Sequence, residues 1–182
     1  MPIYIAMLRG INVSGHKSIK MERLRGSFEA LGFRGVKTYV QSGNVIFEAG
    51  KGSAASLSQD IGKRILRDFG FPVPVLLKTP KELARIIHDN PFLKEPSLDL
   101  SKLHVTFLSE EAPKATGKSL GPLAANLERF RVGRQEIYLY CPNGYGRTKL
   151  SNNAIEKKLC VEATTRNWKS VKALLALAQQ TL

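Results

Sequence analysis

Apolar residues along the chain recur in two alternating rhythms. Ile3–Leu8 is a continuous apolar run too short for a helix, and it predicts a central strand. Met21, Leu24, Phe28 and Leu31 then repeat at helical spacing over Lys20–Leu31, with Gly32 placed to end the element. Val36–Gln41 and Asn44–Glu48 predict two strands joined through Ser42-Gly43. Ser53 is placed to cap a helix over Leu57, Ile61, Ile65 and Phe69, closed by Gly70. Pro72–Lys78 predicts a fourth strand. Thr79-Pro80-Lys81-Glu82 has the form of a capping box with proline at the first helical position, ahead of Leu83, Ile86 and Ile87.

The order repeats. Lys102–Leu108 predicts a strand and Leu120–Leu127 a short helix. Glu128–Val132 and Glu136–Cys141 predict strands around Gly133-Arg134-Gln135. Ser151 caps a helix through Ile155 and Leu159, Glu162–Thr165 forms a short strand, and Asn167 caps a closing helix. The expectation is an α+β chain of two tandem ferredoxin-like subdomains, each βαββαβ plus a helix, with antiparallel sheets. The subdomains are 1–90 and 102–182, joined by a linker over 91–101 that carries Pro91 and Pro96.

Four segments carry a resemblance. Leu8-Arg9-Gly10-Ile11-Asn12-Val13, Thr38-Tyr39-Val40-Gln41-Ser42-Gly43-Asn44-Val45, Gly146-Arg147-Thr148-Lys149-Leu150 and Thr164-Thr165-Arg166-Asn167-Trp168 resemble the signatures of the bacterial family catalogued as domain of unknown function 1697. The resemblance implies the same duplicated ferredoxin-like fold. It implies no catalytic residue.

Composition alters the picture mainly through charge. The 182 residues include 28 Lys and Arg against 15 Asp and Glu, a net of +13. The excess is spread along the chain, with no run of like charge that would make a disordered arm. A folded surface of this sign would attract nucleic acid or phosphate-bearing small molecules, and an ordinary solvated basic surface is the competing reading. No apolar run is long enough for a membrane span. Cys141 and Cys160 stand in no metal spacing and read as buried structural thiols. With no leader-like opening, the expectation is a cytoplasmic protein without cofactor or metal. The sequence leaves its oligomeric state open.

Two loop clusters carry the candidate chemistry. The first comprises Arg9, Asn12 and Lys17 after the opening strand, and Gln41, Ser42 and Asn44 in the hairpin that a βαββ topology brings beside it. Its Gly10–Gly15 interval has the Walker A length, but His16 precedes Lys17, so the phosphate-loop pattern is out of register. Glycines and cations near a helix start suit an anion all the same. The second comprises Tyr145, Arg147, Thr148 and Lys149, with Thr165, Arg166 and Asn167 at the end of the last short strand. Arg147 or Arg166 is the candidate bidentate clamp. In both clusters the competing reading is that the polar side chains satisfy backbone groups in turns. Three functions therefore stand open. The first is an anion- or nucleic-acid-binding module. The second is an enzyme acting on a phosphate- or carboxylate-bearing small molecule, with Asn44 orienting the electrophile. The third is a protein-interaction scaffold. Tyr138 and Tyr140 alternate along one strand and read as packing residues, as does Trp168 at the start of the last helix.

Overall fold

The computed structural model describes residues 1–50 and 52–181. The chain divides into two compact units, Met1–Ala84 with Ala173–Leu182, and Arg85–Lys172.

In the first unit the order is β1 Ile3–Leu8, α1 Met21–Glu29, β2 Arg34–Tyr39, β3 Asn44–Glu48, α2 Ala54–Phe69, β4 Val75–Lys78 and the start of α3, Pro80–His88. The four strands form one antiparallel sheet of order β2-β3-β1-β4. Alternation along β1 and β3 sends Ala6, Leu8, Val45 and Phe47 to one face, where Leu24, Phe28, Leu57, Ile61 and Ile65 close the core. Ile5, Met7 and Ile46, on the other face, are also fully buried.

The helix ends follow the predicted chemistry. The Ser53 hydroxyl accepts the Ser56 N–H, and Gly70 closes α2 in the left-handed conformation. Thr79 and Glu82 exchange bonds reciprocally: the Thr79 N–H donates to Glu82 Oε2 at 2.7 Å and the Glu82 N–H to Thr79 Oγ1 at 3.2 Å. Boundaries differ where the backbone chemistry overrides the pattern. β4 begins at Val75 rather than Pro72, since neither Pro72 nor Pro74 can donate to the ladder. β2 ends at Tyr39 because Val40 turns left-handed, at φ 49°.

In the second unit, two short 3-10 turns, Pro91–Lys94 and Leu100–Lys102, lead into β5 Leu103–Leu108. Then follow α4 Thr116–Leu120, β6 Arg129–Val132, β7 Glu136–Tyr140, α5 Asn152–Leu159, β8 Ala163–Asn167 and α6 Trp168–Gln179. The sheet order is β6-β7-β5-β8, again antiparallel. Equivalent backbone bonds recur: Leu8 donates to the Gly43 carbonyl at 2.8 Å and Leu108 to Gln135 at 2.9 Å. The chain is thus an α+β protein with two four-stranded antiparallel sheets and six α-helices among the described residues. No helix among them is long and apolar enough to cross a membrane.

Two expectations fail here. The helix predicted over Leu120–Leu127 is instead a short α4 that ends at Leu120 and passes into a 3-10 turn, Gly121–Leu123. Pro122 cannot donate, and Leu127 adopts φ 68°. Cys160 is exposed, not buried: it is the left-handed cap of α5. Cys141 and Trp168 are buried as expected.

Candidate functional site

The first loop cluster is drawn together by one side chain. Asn12 lies in the left-handed region at φ 55°, where asparagine is tolerated better than most residues. Its Nδ2 donates to the Ile19 carbonyl at 2.9 Å and to the Gln41 carbonyl at 2.8 Å, while its Oδ1 accepts the Ile19 N–H at 2.7 Å. One amide therefore closes the loop that leaves β1 and ties it to the β2–β3 hairpin.

Inside that loop the chain folds back on itself. Asn12 N–H donates to the Lys17 carbonyl at 3.1 Å and His16 N–H to Val13 at 2.9 Å. Asn12, Ser14, Gly15 and Lys17 all have positive φ. This closed turn precedes α1 and is not a phosphate loop opening directly into a helix. Lys20, at the N-cap of α1, makes no side-chain capping bond.

The hairpin is pinned in the same manner. Asn44 is fully buried, and its Nδ2 donates to the Tyr39 carbonyl at 3.0 Å and to Ser42 Oγ at 2.9 Å. Val40, β-branched and 47% exposed, is held left-handed beside Gln41, a conformation that costs energy for such a residue. Of the six residues, then, Asn12 and Asn44 build the rim. Gln41 and Ser42 are exposed on it, and Arg9 and Lys17 are half-buried. The Lys17 ammonium donates to the Pro72 carbonyl at 3.0 Å.

The second cluster separates into inner and outer residues. Arg166 is 6% exposed, with Nη1 donating to Thr164 Oγ1 at 2.7 Å and to the Thr165 carbonyl at 2.9 Å. Burial lowers its guanidinium pKa to about 10. Thr165 Oγ1 lies 2.7 Å from Thr106 Oγ1 and donates to Asn152 Oδ1 at 2.7 Å. Asn167 Oδ1 accepts the Ser170 N–H and caps α6. Thr148 Oγ1 donates to Glu128 Oε2 at 3.1 Å and accepts the Leu150 N–H at 3.0 Å. The scaffold reading describes these four better than a solvent-facing clamp does. Arg147 is exposed on a 3-10 turn, Tyr145–Arg147, and Lys149 is exposed just beyond it, while Tyr145 stacks on His104 with ring centroids 5.0 Å apart.

Sequence reasoning missed two arrangements. In the second unit, Arg85 grips the buried Glu136 bidentately at 3.0 Å through both Nη atoms, and the Tyr138 hydroxyl donates to the Ile86 carbonyl at 2.8 Å. Burial, with the Glu136 charge adding to it, pushes the Tyr138 phenol well above its ordinary range. In the first unit, Arg23, Ser27, Arg64, Asp68 and Phe69 line a cleft between α1 and α2. The spacing of Arg64 and Asp68 was readable as an i,i+4 pair, but Ser27 and Arg23 lie on another helix and carry no pairing signal.

The comparisons give a family and a fold. The family described as Protein of unknown function (DUF1697) matches residues 1–138. That span contains the whole first loop cluster, whereas the segments 146–150 and 164–168 lie beyond it. Among solved structures the chain is similar to the conserved bacterial protein SP0830 from Streptococcus pneumoniae. The two share 21% identity and a TM-score of 0.77 over 97% of this chain and 98% of that one. No curated protein matches this chain.

Proposed function

Since the chain belongs to the DUF1697 family, whose description carries no activity, we propose from its geometry that it is a polyanion-binding module, with nucleic acid as the partner. The observation that carries this reading is the Asn12 amide, which joins the β1-exit loop to the hairpin as one rim beside Arg9 and Lys17. A rim fixed before binding loses little conformational entropy when a backbone phosphate arrives. Charge supports the same reading: the first unit holds 13 basic against 6 acidic side chains, a net of +7.

Arg147 and Lys149 are a second, smaller cationic point. Each unit reads as a ferredoxin-like fold, supported by the shared strand order and the matching Leu8 and Leu108 bonds. Two unpaired thiols fit a reducing cytoplasm. The enzymatic reading has less support, because Asn44 is buried and spends its amide on Tyr39 and Ser42.

The test is binding of mixed-sequence RNA and duplex DNA as a function of salt. The logarithm of affinity is expected to fall with the logarithm of salt by about 0.7–0.9 per phosphate neutralised. The variant Arg9→Ala/Lys17→Ala is expected to flatten that slope. No retention of either polymer at low salt overturns the proposal.

A further inference from the structure

The cleft between α1 and α2 takes no part in the loop rim. It is an open cleft of about 220 Å³, lined by Arg23, Gly26 and Ser27 from one helix and Arg64, Asp68 and Phe69 from the other. Asp68 organises it. Its Oδ2 accepts the buried Ser27 hydroxyl at 2.6 Å and Arg64 Nε at 2.7 Å. These bonds, that from Ser27 first, hold its carboxyl below the usual carboxylate range. Arg23 lies with its guanidinium 5.0 Å from the Phe69 ring centroid and reaches the Asp68 carbonyl only at 3.4 Å.

Both arginines are therefore oriented without being used up. Arg64 commits its Nε to Asp68, and its two Nη groups form no other hydrogen bond among the described residues. Arg23 lies over the Phe69 ring, a contact to the face of the guanidinium that leaves most of its in-plane donors available.

Gly26 points the same way. It stands in the middle of α1, where glycine is a poor helix former, and its φ is not in the left-handed region. A Cβ built there meets nothing within 4 Å, so no packing demand excludes alanine. What the missing Cβ at Gly26 does preserve is open space at the wall of the cleft.

We infer that this cleft is a binding site for a phosphate group, held between the guanidinium groups of Arg23 and Arg64. Charge favours phosphate over a carboxylate. Arg23 and Arg64 line the cleft against one carboxylate, Asp68, and Arg67 acts on that carboxylate from nearby; the positive excess and two donor forks suit the several oxygens of a phosphate. Size limits the rest of the ligand, because pockets that enclose drug-sized molecules run to roughly 300–1,000 Å³. The cleft holds a free phosphate or one phosphate of a larger molecule whose remainder lies in solvent. It is independent of the loop reading and shares no residue with it.

The test follows backbone amides and arginine Nε–Hε signals of the full chain during titration with inorganic phosphate, against chloride at matched ionic strength. A short single-stranded oligonucleotide is a further arm. Saturable shifts at Arg23, Gly26 and Arg64 with phosphate alone are expected, whichever phosphate source binds more tightly. Arg64→Ala is expected to weaken binding roughly tenfold or more, and Arg64→Lys to restore part of it. Gly26→Ala is expected to raise the melting temperature yet weaken phosphate binding, a pairing that a purely structural role does not produce. Lys17→Ala is expected to leave this site unchanged, which separates it from the loop rim. Equal shifts in phosphate and chloride overturn the inference, as does undiminished phosphate affinity in folded Arg64→Ala and Gly26→Ala.

Discussion

Gly43 lies so close to Ile11 that a Cβ on the glycine would come within 2.6 Å of Ile11 Cδ1. The same atom would meet Leu8 Cβ at 2.9 Å, and the residue has φ +83°. Two independent demands, close approach and left-handed backbone, therefore meet at one position. The contact sets the distance between the β1-exit loop and the hairpin, and so the shape of the proposed rim.

Gly43→Ala is expected to destabilise the protein by about 2–4 kcal/mol, from overpacking plus left-handed strain. Urea unfolding measures this. A loss within a few tenths of a kcal/mol would show that Ile11 yields freely and that the rim is soft.

Asn12→Ala removes one acceptor and two donations at once. The expected loss is about 2–3 kcal/mol, near 1 for each of the partly buried bonds to Ile19 and less for the exposed one to Gln41. Asn12→Asp keeps the acceptor for the Ile19 N–H but turns a carboxylate oxygen toward the Ile19 and Gln41 carbonyls, so it is expected to lose at least as much as alanine. An Asp variant clearly more stable than the Ala variant by thermal melting would mean that the acceptor and not the two donations carries the staple.

Most of the fold was legible because helix ends announce themselves chemically. Ser53, Gly70, the Thr79–Glu82 pair, Ser151 and Asn167 each occupy the cap that the sequence assigns them. The helix expected over Leu120–Leu127 was not legible, since Gly121 and Pro122 break a pattern that apolar spacing alone suggests. Of the candidate residues, proximity within the first cluster could be read from topology, because β1 and β3 are neighbours and Met7 pairs with Asn44. Burial could not. Arg166 and Asn44 are polar residues on central or covered positions, and nothing local distinguishes them from exposed ones. The Arg85–Glu136 pair spans 51 positions and depends wholly on tertiary placement.

Cys160 closes α5 with φ 56°, a conformation that glycine adopts without steric cost. Cys160→Gly is expected to stabilise the protein by about 0.5–1 kcal/mol, the strain relieved less the entropy that glycine adds to the unfolded chain. The exposed Cys160 thiol is also expected to react with a thiol reagent in the folded protein. Cys141 is expected to stay inert, since it is fully buried and burial pushes its pKa up to about 11. Two rapidly reacting thiols in the native protein would contradict that assignment.

His104 supplies a pH dependence whose sign can be worked out. Burial lowers its pKa from the ordinary 6.5, against a weaker opposing hydrogen bond to the Lys102 carbonyl, and its ring stacks on Tyr145. Above pH 6.5 the imidazole is neutral in both folded and unfolded chains, so its contribution is fully present. As pH falls below that value the unfolded chain takes up a proton that the folded chain refuses, and stability declines until the folded-state pKa is reached. Urea unfolding at intervals from neutral pH down to roughly pH 5 is expected to show this decline. His104→Phe preserves an aromatic ring against Tyr145 and removes the titration, so the His104 part of the slope is expected to vanish. A His104 ring signal titrating at or above 6.5 by NMR, or an unchanged slope in the Phe variant, would mean that the imidazole is solvated and the stack with Tyr145 is loose.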